Sequence, residues 1–186
     1  MTKKKVGVIV GSLRSGAYTR MLSRALPELA PELQFSTIEI GDLPHYNQDL
    51  ETDSPPSSWT RFRQQVIASD AILFITPEYN RSMPGVLKNA LDVGSRPWGK
   101  SAWAGKPAAV ISMSPGALGG MAANHHLRQV LLAVNLAAMA HPEAYLPAVA
   151  GLFDENGALQ NADTRKFMGE FLQTFDAWIG KVVSAV

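Results

Sequence analysis

The sequence predicts an α/β fold in which a five-stranded parallel sheet carries helices on both faces. Three short apolar runs, at residues 6–10, 71–75 and 108–112, have the continuous hydrophobic character of strands buried on both sides. Stretches of helical periodicity separate them, and this alternation is typical of a doubly wound parallel sheet. At 186 residues and without an evident linker or repeat, residues 1–186 are expected to form one domain.

The first half of the chain is predicted as three strands with helices between them. Residues 6–10, 35–40 and 71–75 are the predicted strands, and residues 18–30 and 57–69 the helices that alternate with them. Between the second strand and the second helix lies a loop rich in Gly, Pro, Asp and Ser, over residues 41–56. Its length is typical of functional or lid-like loops.

The second half continues the alternation. Residues 84–93 predict a helix, residues 108–112 a strand, residues 119–138 a long helix and residues 144–146 a short strand. Asn156-Gly157 is a turn signal, and the last helix is predicted from residue 163 onward. Its apolar side chains recur at intervals of three and four, which indicates one core-facing helical face: Phe167, Phe171, Phe175, Trp178 and Val182.

The composition excludes several classes of protein. Seventeen basic and sixteen acidic residues leave a net charge of +1, so no nucleic-acid partner is expected. The absence of cysteine excludes disulfides, a thiol nucleophile and Cys-type metal centres. The four histidines lack ligand spacing, so no metal site is expected either. The longest apolar stretch, residues 130–140, is too short to cross a bilayer, and we expect a cytoplasmic protein with no membrane span.

A ligand is expected where the first, third and fourth strands end, because doubly wound sheets bind ligands beyond the carboxyl ends of their strands. The loop after the first strand, residues 11–19, joins a strand to a helix N-terminus, which is a natural anion site. Ser12, Ser15 and Thr19 add hydroxyl groups, and Arg14 could meet a phosphate with two parallel hydrogen bonds. The alternative is that Ser12 or Ser15 only caps the helix.

The known nucleotide motifs do not fit this loop. A P-loop requires Lys followed by Ser or Thr after its second glycine, but Gly16 is followed by Ala17 and Tyr18. Gly7, Gly11 and Gly16 also lack the spacing of a dinucleotide fingerprint. A monophosphate ligand remains, and flavin mononucleotide (FMN) at the switch point of a flavodoxin-like sheet satisfies this.

Two further loops could hold a planar ligand. In residues 76–85, Pro77 and Pro84 stiffen the ends, Tyr79 offers a ring face, and Asn80 can read a heterocycle edge. Ser82 is equally well interpreted as the N-cap of the following helix. In residues 114–120, three glycines would allow the backbone to approach a flat ligand closely, although a flexible turn explains them nearly as well.

Together these three loops resemble the NAD(P)H-dependent FMN reductase family, and in particular its bacterial quinone and chromate reductase branch. The resemblance rests on Gly-Ser-Leu-Arg at residue 11, on Pro-Glu-Tyr-Asn-x-Ser-x-Pro-Gly at residue 77, and on Ser-x-Gly-x-x-Gly-Gly at residue 114 before a His-Leu-Arg helix. It covers residues 6 to about 147. It implies a flavodoxin-like fold, FMN as cofactor and a homodimer or homotetramer.

The resemblance also implies a role for each loop. The first loop would hold the FMN phosphate, through the side chains of Ser12, Arg14 and Thr19 and the backbone of Ser15, Gly16, Ala17 and Tyr18. The second would hold the isoalloxazine and ribityl groups, through Pro77, Glu78, Tyr79, Asn80 and Ser82. Ser114 and Gly116 of the third loop would face the other side of the ring.

The expected reaction moves electrons from NADPH or NADH through FMN to a small-molecule acceptor such as a quinone, free flavin, azo dye or chromate. The flavin performs the redox chemistry, so the sequence predicts no catalytic side chain. Arg81, a cation in the second loop, is hypothesised to favour anionic nucleotides or acceptors, and the alternative is a solvated surface arginine.

Two alternatives remain, an FMN electron carrier and a redox-sensing FMN-binding module. Many carriers use acidic docking surfaces, so the net charge of +1 argues against the carrier.

Overall fold

The computed structural model describes residues 3–184, which contain six strands and five α-helices that alternate except where the sixth strand follows the fifth. The strands are β1 (Lys4–Val10), β2 (Leu33–Thr37), β3 (Ala71–Pro77), β4 (Pro107–Met113), β5 (Ala137–Ala138) and β6 (Ala144–Leu146). The helices are α1 (Tyr18–Leu29), α2 (Ser57–Ile67), α3 (Gly85–Gly94), α4 (Met121–Ala133) and α5 (Ala162–Val183). Two short 3-10 turns lie at Gln48–Leu50 and Val149–Gly151.

The strands form one parallel sheet in the order β2-β1-β3-β4, and both β5 and β6 pair with the outer side of β4. β5 pairs with Pro107 and Ala108 at the start of β4, whereas β6 pairs with Ile111 to Met113 at its end. The predicted five-stranded parallel sheet is thus confirmed, with its last strand divided in two. Because β1 lies between β2 and β3, the switch point lies between the ends of β1 and β3.

A buried polar network fills the division between β5 and β6. Asn124 of α4 is fully buried, and its Nδ2 lies 3.5 Å from the Val110 carbonyl oxygen and 3.4 Å from that of Ala144. Its Oδ1 accepts a hydrogen bond of 2.8 Å from Arg128 Nε, and Arg128 also donates to the Met139 carbonyl. Side chains of α4 therefore satisfy carbonyl groups that a continuous fifth strand would have paired.

Two apolar cores lie on the two faces of the sheet. On one face, alternate residues of the central strands pack against α1 and α5; on the other, the remaining alternate residues pack against α2, α3 and α4. Phe171 and Phe175 of α5 are fully buried, and Phe167 and Trp178 pack partly buried beside them. The predicted apolar face of the last helix is thereby confirmed, and Val182 lies half-buried near its end.

The helix predicted to reach residue 138 ends earlier, at Ala133. Asn135 adopts a left-handed conformation with φ of 61°, and the Leu136 amide donates to the Leu131 carbonyl across the helix end. This is a Schellman closure, for which Asn is a suitable residue. The continuous helix was a wrong prediction, because the apolar run on both sides of Asn135 hides the stop and the start of β5.

The second strand also differs from its prediction. It runs over Leu33–Thr37 instead of residues 35–40. Ile38 and Ile40 are buried, but they lie beyond the strand, where the chain leaves the edge of the sheet and turns into the core. The apolar residues used for the prediction therefore mark this exit and not the strand itself.

The long loop over residues 41–56 is anchored to two helices. Asn89 of α3 accepts a hydrogen bond of 2.8 Å from the Tyr46 amide and donates to the Pro44 carbonyl at 3.1 Å. Arg63 of α2 makes a two-pronged ion pair with Glu51, at 2.9 and 2.7 Å, and both side chains are largely buried. These contacts anchor the loop to α2 and α3 at residues 44, 46 and 51.

Candidate functional site

A cleft of about 220 Å³ lies at the carboxyl ends of β1, β3 and β4, where the fold predicts a ligand. Residues from all three predicted loops line it, together with Met113 at the end of β4 and one residue of the turn that follows β6. The lining residues are Ser12, Arg14, Ala17, Tyr18, Thr19, Pro77, Glu78, Tyr79, Met113, Ser114, Pro115 and Val149.

The first loop presents an uncapped helix N-terminus to this cleft. Ala17 is the N-cap residue of α1, no side chain caps the helix, and its first turn contains no acidic residue. The alternative in which Ser12 or Ser15 only caps the helix is therefore wrong. Within residues 3–184, the structure gives no acceptor to the amides of Tyr18 and Thr19. Such amides, at the positive end of the helix dipole, form an anion site.

Thr19 carries the most informative polar atom of the site. Its side chain is buried, with 2% of its surface exposed, yet its Oγ1 has no hydrogen-bond partner among the described residues. Leaving a buried hydroxyl unpaired costs about 1–3 kcal/mol. Because Thr19 lines the cleft, a ligand there could supply the missing partner.

Arg14 contributes a cation to the same end of the cleft. Its guanidinium lies 6.0 Å from the centre of the Tyr18 ring, and that ring stacks on Phe153 at 5.9 Å. No carboxylate within residues 3–184 forms an ion pair with Arg14, whose side chain is exposed. Arg14 is therefore available to an anion bound at the N-terminus of α1.

The second loop forms a tight two-residue turn. Tyr79 and Ser82 exchange backbone hydrogen bonds of 2.9 and 3.0 Å, and the residues between them have positive φ, 52° for Asn80 and 65° for Arg81. Two consecutive left-handed residues are the geometry of a type I′ turn, which favours Asn and Gly. Arg81 is thus held in a conformation unusual for its type.

Polar side chains of the second loop are turned toward neighbouring elements. Glu78 accepts a hydrogen bond of 3.1 Å from the Ala123 amide in the first turn of α4, and Ser82 Oγ lies 2.8 Å from His126 Nδ1 on the same helix. Tyr79 Oη lies 3.4 Å from Ser12 Oγ, which links the second loop to the first. The helix after this loop has Pro84 as its N-cap, so the alternative role of Ser82 as a cap is wrong.

The third loop approaches the sheet closely. A Cβ on Gly119 would lie 2.6 Å from the Tyr145 backbone, and one on Gly120 would lie 3.1 Å from the Ser112 Cβ; both glycines have positive φ. These two glycines therefore serve packing within the protein, contrary to the expectation that they approach a ligand. Gly116 has only the Ser114 hydroxyl nearby, and Ser114 itself lines the cleft.

The structure brings together most of the predicted site residues. Those that do not line the cleft lie beside it in the same loops: Ser15, Gly16, Asn80, Ser82 and Gly116. Sequence reasoning missed Met113, Pro115 and Val149. The first two adjoin the predicted Ser114 and could have been included, whereas Val149 reaches the cleft through a turn whose amide bonds the Ser114 carbonyl, which no local pattern indicates.

A cluster of titratable groups lies beside the third loop. Tyr145 Oη and His125 Nε2 are 2.9 Å apart, and His125 is 3.8 Å from a Glu143 carboxylate oxygen. Burial raises the pKa of Tyr145 to about 12, and the Glu143 carboxylate adds to this shift. The phenol is therefore protonated at neutral pH.

No group of three or more His, Asp or Glu side chains within residues 3–184 is arranged to hold a metal ion. None of the helices described there combines the length and apolar character needed to span a membrane.

Comparisons with known proteins show the family of the chain. The family model described as NADPH-dependent FMN reductase matches residues 4–151. A quinone reductase from Pseudomonas putida is 55% identical over 175 residues, which cover 94% of each chain. A 2-hydroxy-1,4-benzoquinone reductase from Burkholderia sp. is 46% identical over 94% of this chain and 96% of its own.

Solved structures extend the agreement to the fold. FerB, a flavoenzyme NAD(P)H:(acceptor) oxidoreductase from Paracoccus denitrificans, superposes with a TM-score of 0.90 at 45% identity, covering 96% of this chain and 98% of its own. A flavodoxin from Pseudomonas aeruginosa, 19% identical, has a TM-score of 0.57 over 95% of this chain and 99% of its own, which confirms the flavodoxin-like fold class. The chain belongs to the NADPH-dependent FMN reductase family, and it is an oxidoreductase that uses FMN and a reduced nicotinamide nucleotide.

Proposed function

We propose that the protein binds FMN in the switch-point cleft and passes electrons from NADPH or NADH to quinones. The observation that carries the proposal is the N-terminus of α1, where free amides, the unpaired Thr19 hydroxyl and the Arg14 guanidinium converge on one end of the cleft. This set of donors matches a phosphate monoester. Curated relatives at 55% and 46% identity are named as quinone reductases, which supports quinones as the acceptor class.

The residues of the first loop would hold the phosphate. Arg14 would supply charge, Thr19 and Ser12 would supply hydroxyl groups, and the backbone of Ser15, Gly16 and Tyr18 would supply amides, whereas the Ala17 amide already donates to the Arg14 carbonyl at 3.1 Å. The Thr19 hydroxyl gains most from this arrangement, because it is buried already and has no other partner. Binding would thus remove a desolvation penalty that the ligand-free protein carries.

The second and third loops would enclose the flavin ring. Pro77 and Tyr79 line the cleft on one side and Ser114 on the other, with Gly116 beside Ser114. The Glu78 carboxylate is engaged by the Ala123 amide, so Glu78 would meet the flavin through its backbone. Asn80 and Ser82 would complete the loop from positions next to the cleft.

When bound, FMN supplies the redox chemistry, taking a hydride from the nicotinamide and releasing electrons to the acceptor. The chain's part would be to fix the ring between the loops and to direct backbone N–H groups at its edge, where negative charge develops. No acid or base side chain is required for this. Exposed apolar side chains in the surrounding loops, Tyr79 at 50% and Leu118 at 56% exposure, suit a neutral aromatic acceptor such as a quinone.

We also propose that the protein works as one domain in a homodimer or homotetramer in the cytoplasm, where its nicotinamide donor is found. Trp98, 87% exposed after α3, and Leu132, 80% exposed on α4, are large apolar side chains of the kind that interfaces cover. Light scattering on the purified protein measures the assembly, and a monomer at micromolar concentration would contradict this part of the proposal.

An anaerobic reduction experiment tests the function. The FMN-loaded protein is mixed with NADPH, and the yellow absorption band of the flavin is followed; a benzoquinone is then added. We expect rapid bleaching by NADPH and return of the colour with the quinone. A band that NADPH leaves unchanged would contradict the reductase, and bleached protein that does not respond to the quinone would contradict the acceptor class.

A further inference from the structure

Helix α4 holds the second loop at two points. The Ala123 amide donates to Glu78 at 3.1 Å, and His126 Nδ1 lies 2.8 Å from Ser82 Oγ. Ala123 and His126 are three residues apart, so they lie on the same side of the helix, one turn from each other. Of the two loop residues that they hold, Glu78 directly precedes the Tyr79–Ser82 turn and Ser82 is its last residue.

This turn needs external support because of its own conformation. Asn80 and Arg81 both have positive φ, and a side chain such as that of Arg81 disfavours the left-handed region. A free loop of this sequence would relax toward negative φ. The contacts at Glu78 and Ser82 oppose this relaxation by fixing both ends of the turn on one rigid helix.

The position of the turn matters for the cleft. Tyr79 lines the cleft, and its hydroxyl lies 3.4 Å from Ser12 Oγ in the first loop. A displaced turn would therefore change both the wall of the cleft and the contact between its two principal loops. His126 lies 44 residues from Ser82 in sequence and is not among the residues that line the cleft, and its contact with the second loop is made through Ser82.

We propose that His126 is a positioning residue that holds the Tyr79–Ser82 turn in the conformation that receives the flavin. The inference deepens the proposed function and rests on it for the identity of the ligand. The imidazole tautomer decides which atom donates, but the Nδ1 position is engaged with Ser82 in either case. What holds the turn is therefore a polar atom at the position of Nδ1, within hydrogen-bond distance of Ser82, more than the charge of the imidazole ring.

Two substitutions at His126 separate this role from general stability. Asn places a polar atom where Nδ1 lies, whereas Gln extends its amide to the position of Nε2. We expect His126→Asn to behave like the unaltered protein. In His126→Gln, the Tyr79 and Ser82 amides should exchange hydrogen about fivefold faster in the FMN-free protein, the equivalent of one neutral hydrogen bond. The FMN dissociation constant, measured by flavin fluorescence, should rise by a similar factor.

Three further variants serve as controls for the His126 comparison. His125→Gln changes an adjacent exposed histidine that bonds Tyr145 and not the second loop, so it should alter neither readout. Ser82→Ala removes the same hydrogen bond by deleting the Ser82 hydroxyl. It should raise amide exchange as His126→Gln does, and it takes the place of His126→Gln in the test if His126→Gln folds poorly. Arg81→Gly relieves the strained position, so the effect of His126→Gln on amide exchange should shrink in that background.

Three outcomes would overturn the inference: equal behaviour of the Asn and Gln variants, unchanged amide exchange in His126→Gln, or an equal effect of His125→Gln. Failure of the proposed function gives a different result. In that case the unaltered protein binds no FMN, while the amide-exchange comparison of the variants still reports whether His126 holds the turn.

Discussion

Replacement of Thr19 by Val should change the stability of the FMN-free protein and its affinity for FMN in opposite directions. The Thr19 side chain is 2% exposed, and its hydroxyl has no partner among residues 3–184. Val keeps the shape of Thr and removes the hydroxyl, so the FMN-free protein loses a buried unpaired group. We expect its free energy of unfolding to rise by about 1 kcal/mol, which raises the melting temperature by about 2–4 °C in a domain of this size.

The same substitution should weaken FMN binding. A hydrogen bond to a charged phosphate contributes about 1.5–3 kcal/mol, so the dissociation constant of Thr19→Val should rise about 10- to 150-fold. Flavin fluorescence titration measures the affinity, and urea unfolding without FMN measures the stability. Thr174→Val is a control, because Thr174 is exposed on α5 and does not line the cleft, and among residues 3–184 its hydroxyl donates to the Glu170 carbonyl alone.

The reasoning would be refuted if Thr19→Val destabilised the FMN-free protein and bound FMN as tightly as before. That result would mean that the hydroxyl already has a structural partner and does not face the ligand. A loss of both stability and affinity would mean that the substitution disturbs the start of α1.

Four further predictions follow from other features. Arg14→Ala should weaken FMN binding by about 1.5–3 kcal/mol without lowering stability, and an unchanged fluorescence titration would place the phosphate elsewhere. Arg81→Gly should raise the melting temperature, since it relieves a φ of 65°, yet raise the KM for NADPH more than that for a neutral quinone; equal changes would argue against a role in anion selection. Asn124→Leu removes the hydrogen bonds from Nδ2 to the Val110 and Ala144 carbonyls and leaves Arg128 Nε without its partner, although Arg128 still donates to the Met139 carbonyl; it should lower the free energy of unfolding by about 2–4 kcal/mol, and a urea titration that shows a loss below about 0.5 kcal/mol would contradict this. The neutral form of Tyr145 is favoured by folding, so its stabilising contribution is complete below the ordinary tyrosine pKa of about 10 and is lost as pH rises through about 12; ultraviolet titration should show one late phenol, absent in Tyr145→Phe.

The doubly buried strands were predictable from the sequence, because β1, β3 and β4 are surrounded by apolar side chains on both faces. The edges of the sheet were harder, since β2 is half-exposed and its strongest apolar signal, at Ile38 and Ile40, belongs to the exit from the strand. The division of the last strand depends on Asn135 and on the hydrogen bonds of Asn124. Only Asn135, which adopts a left-handed conformation at the helix end, is marked by its own residue type in the sequence.

For the site, local chemistry predicted the loops but not every side-chain direction. Ser82 stands before a helix that begins after a proline, a pattern that favours a cap, yet its partner is His126, 44 residues later. Glu78 shows no local sign that its carboxylate meets the Ala123 amide. These contacts form because α4 packs beside the second loop. The spacing of residues within the loop alone does not predict them.

Helix α4 supports both the edge of the sheet and the second loop, and this has a consequence for engineering the range of electron acceptors. Asn124, in the first two turns of α4, supports the divided edge of the sheet, and Ala123 and His126 in the same turns support the second loop. Random substitutions in these turns would therefore damage the fold and the cofactor site together. Leu118, just before the helix, and Met121, at its start, are exposed, and neither takes part in these supporting contacts. A library confined to those two positions should change which acceptors are admitted while keeping most members folded and able to bind FMN.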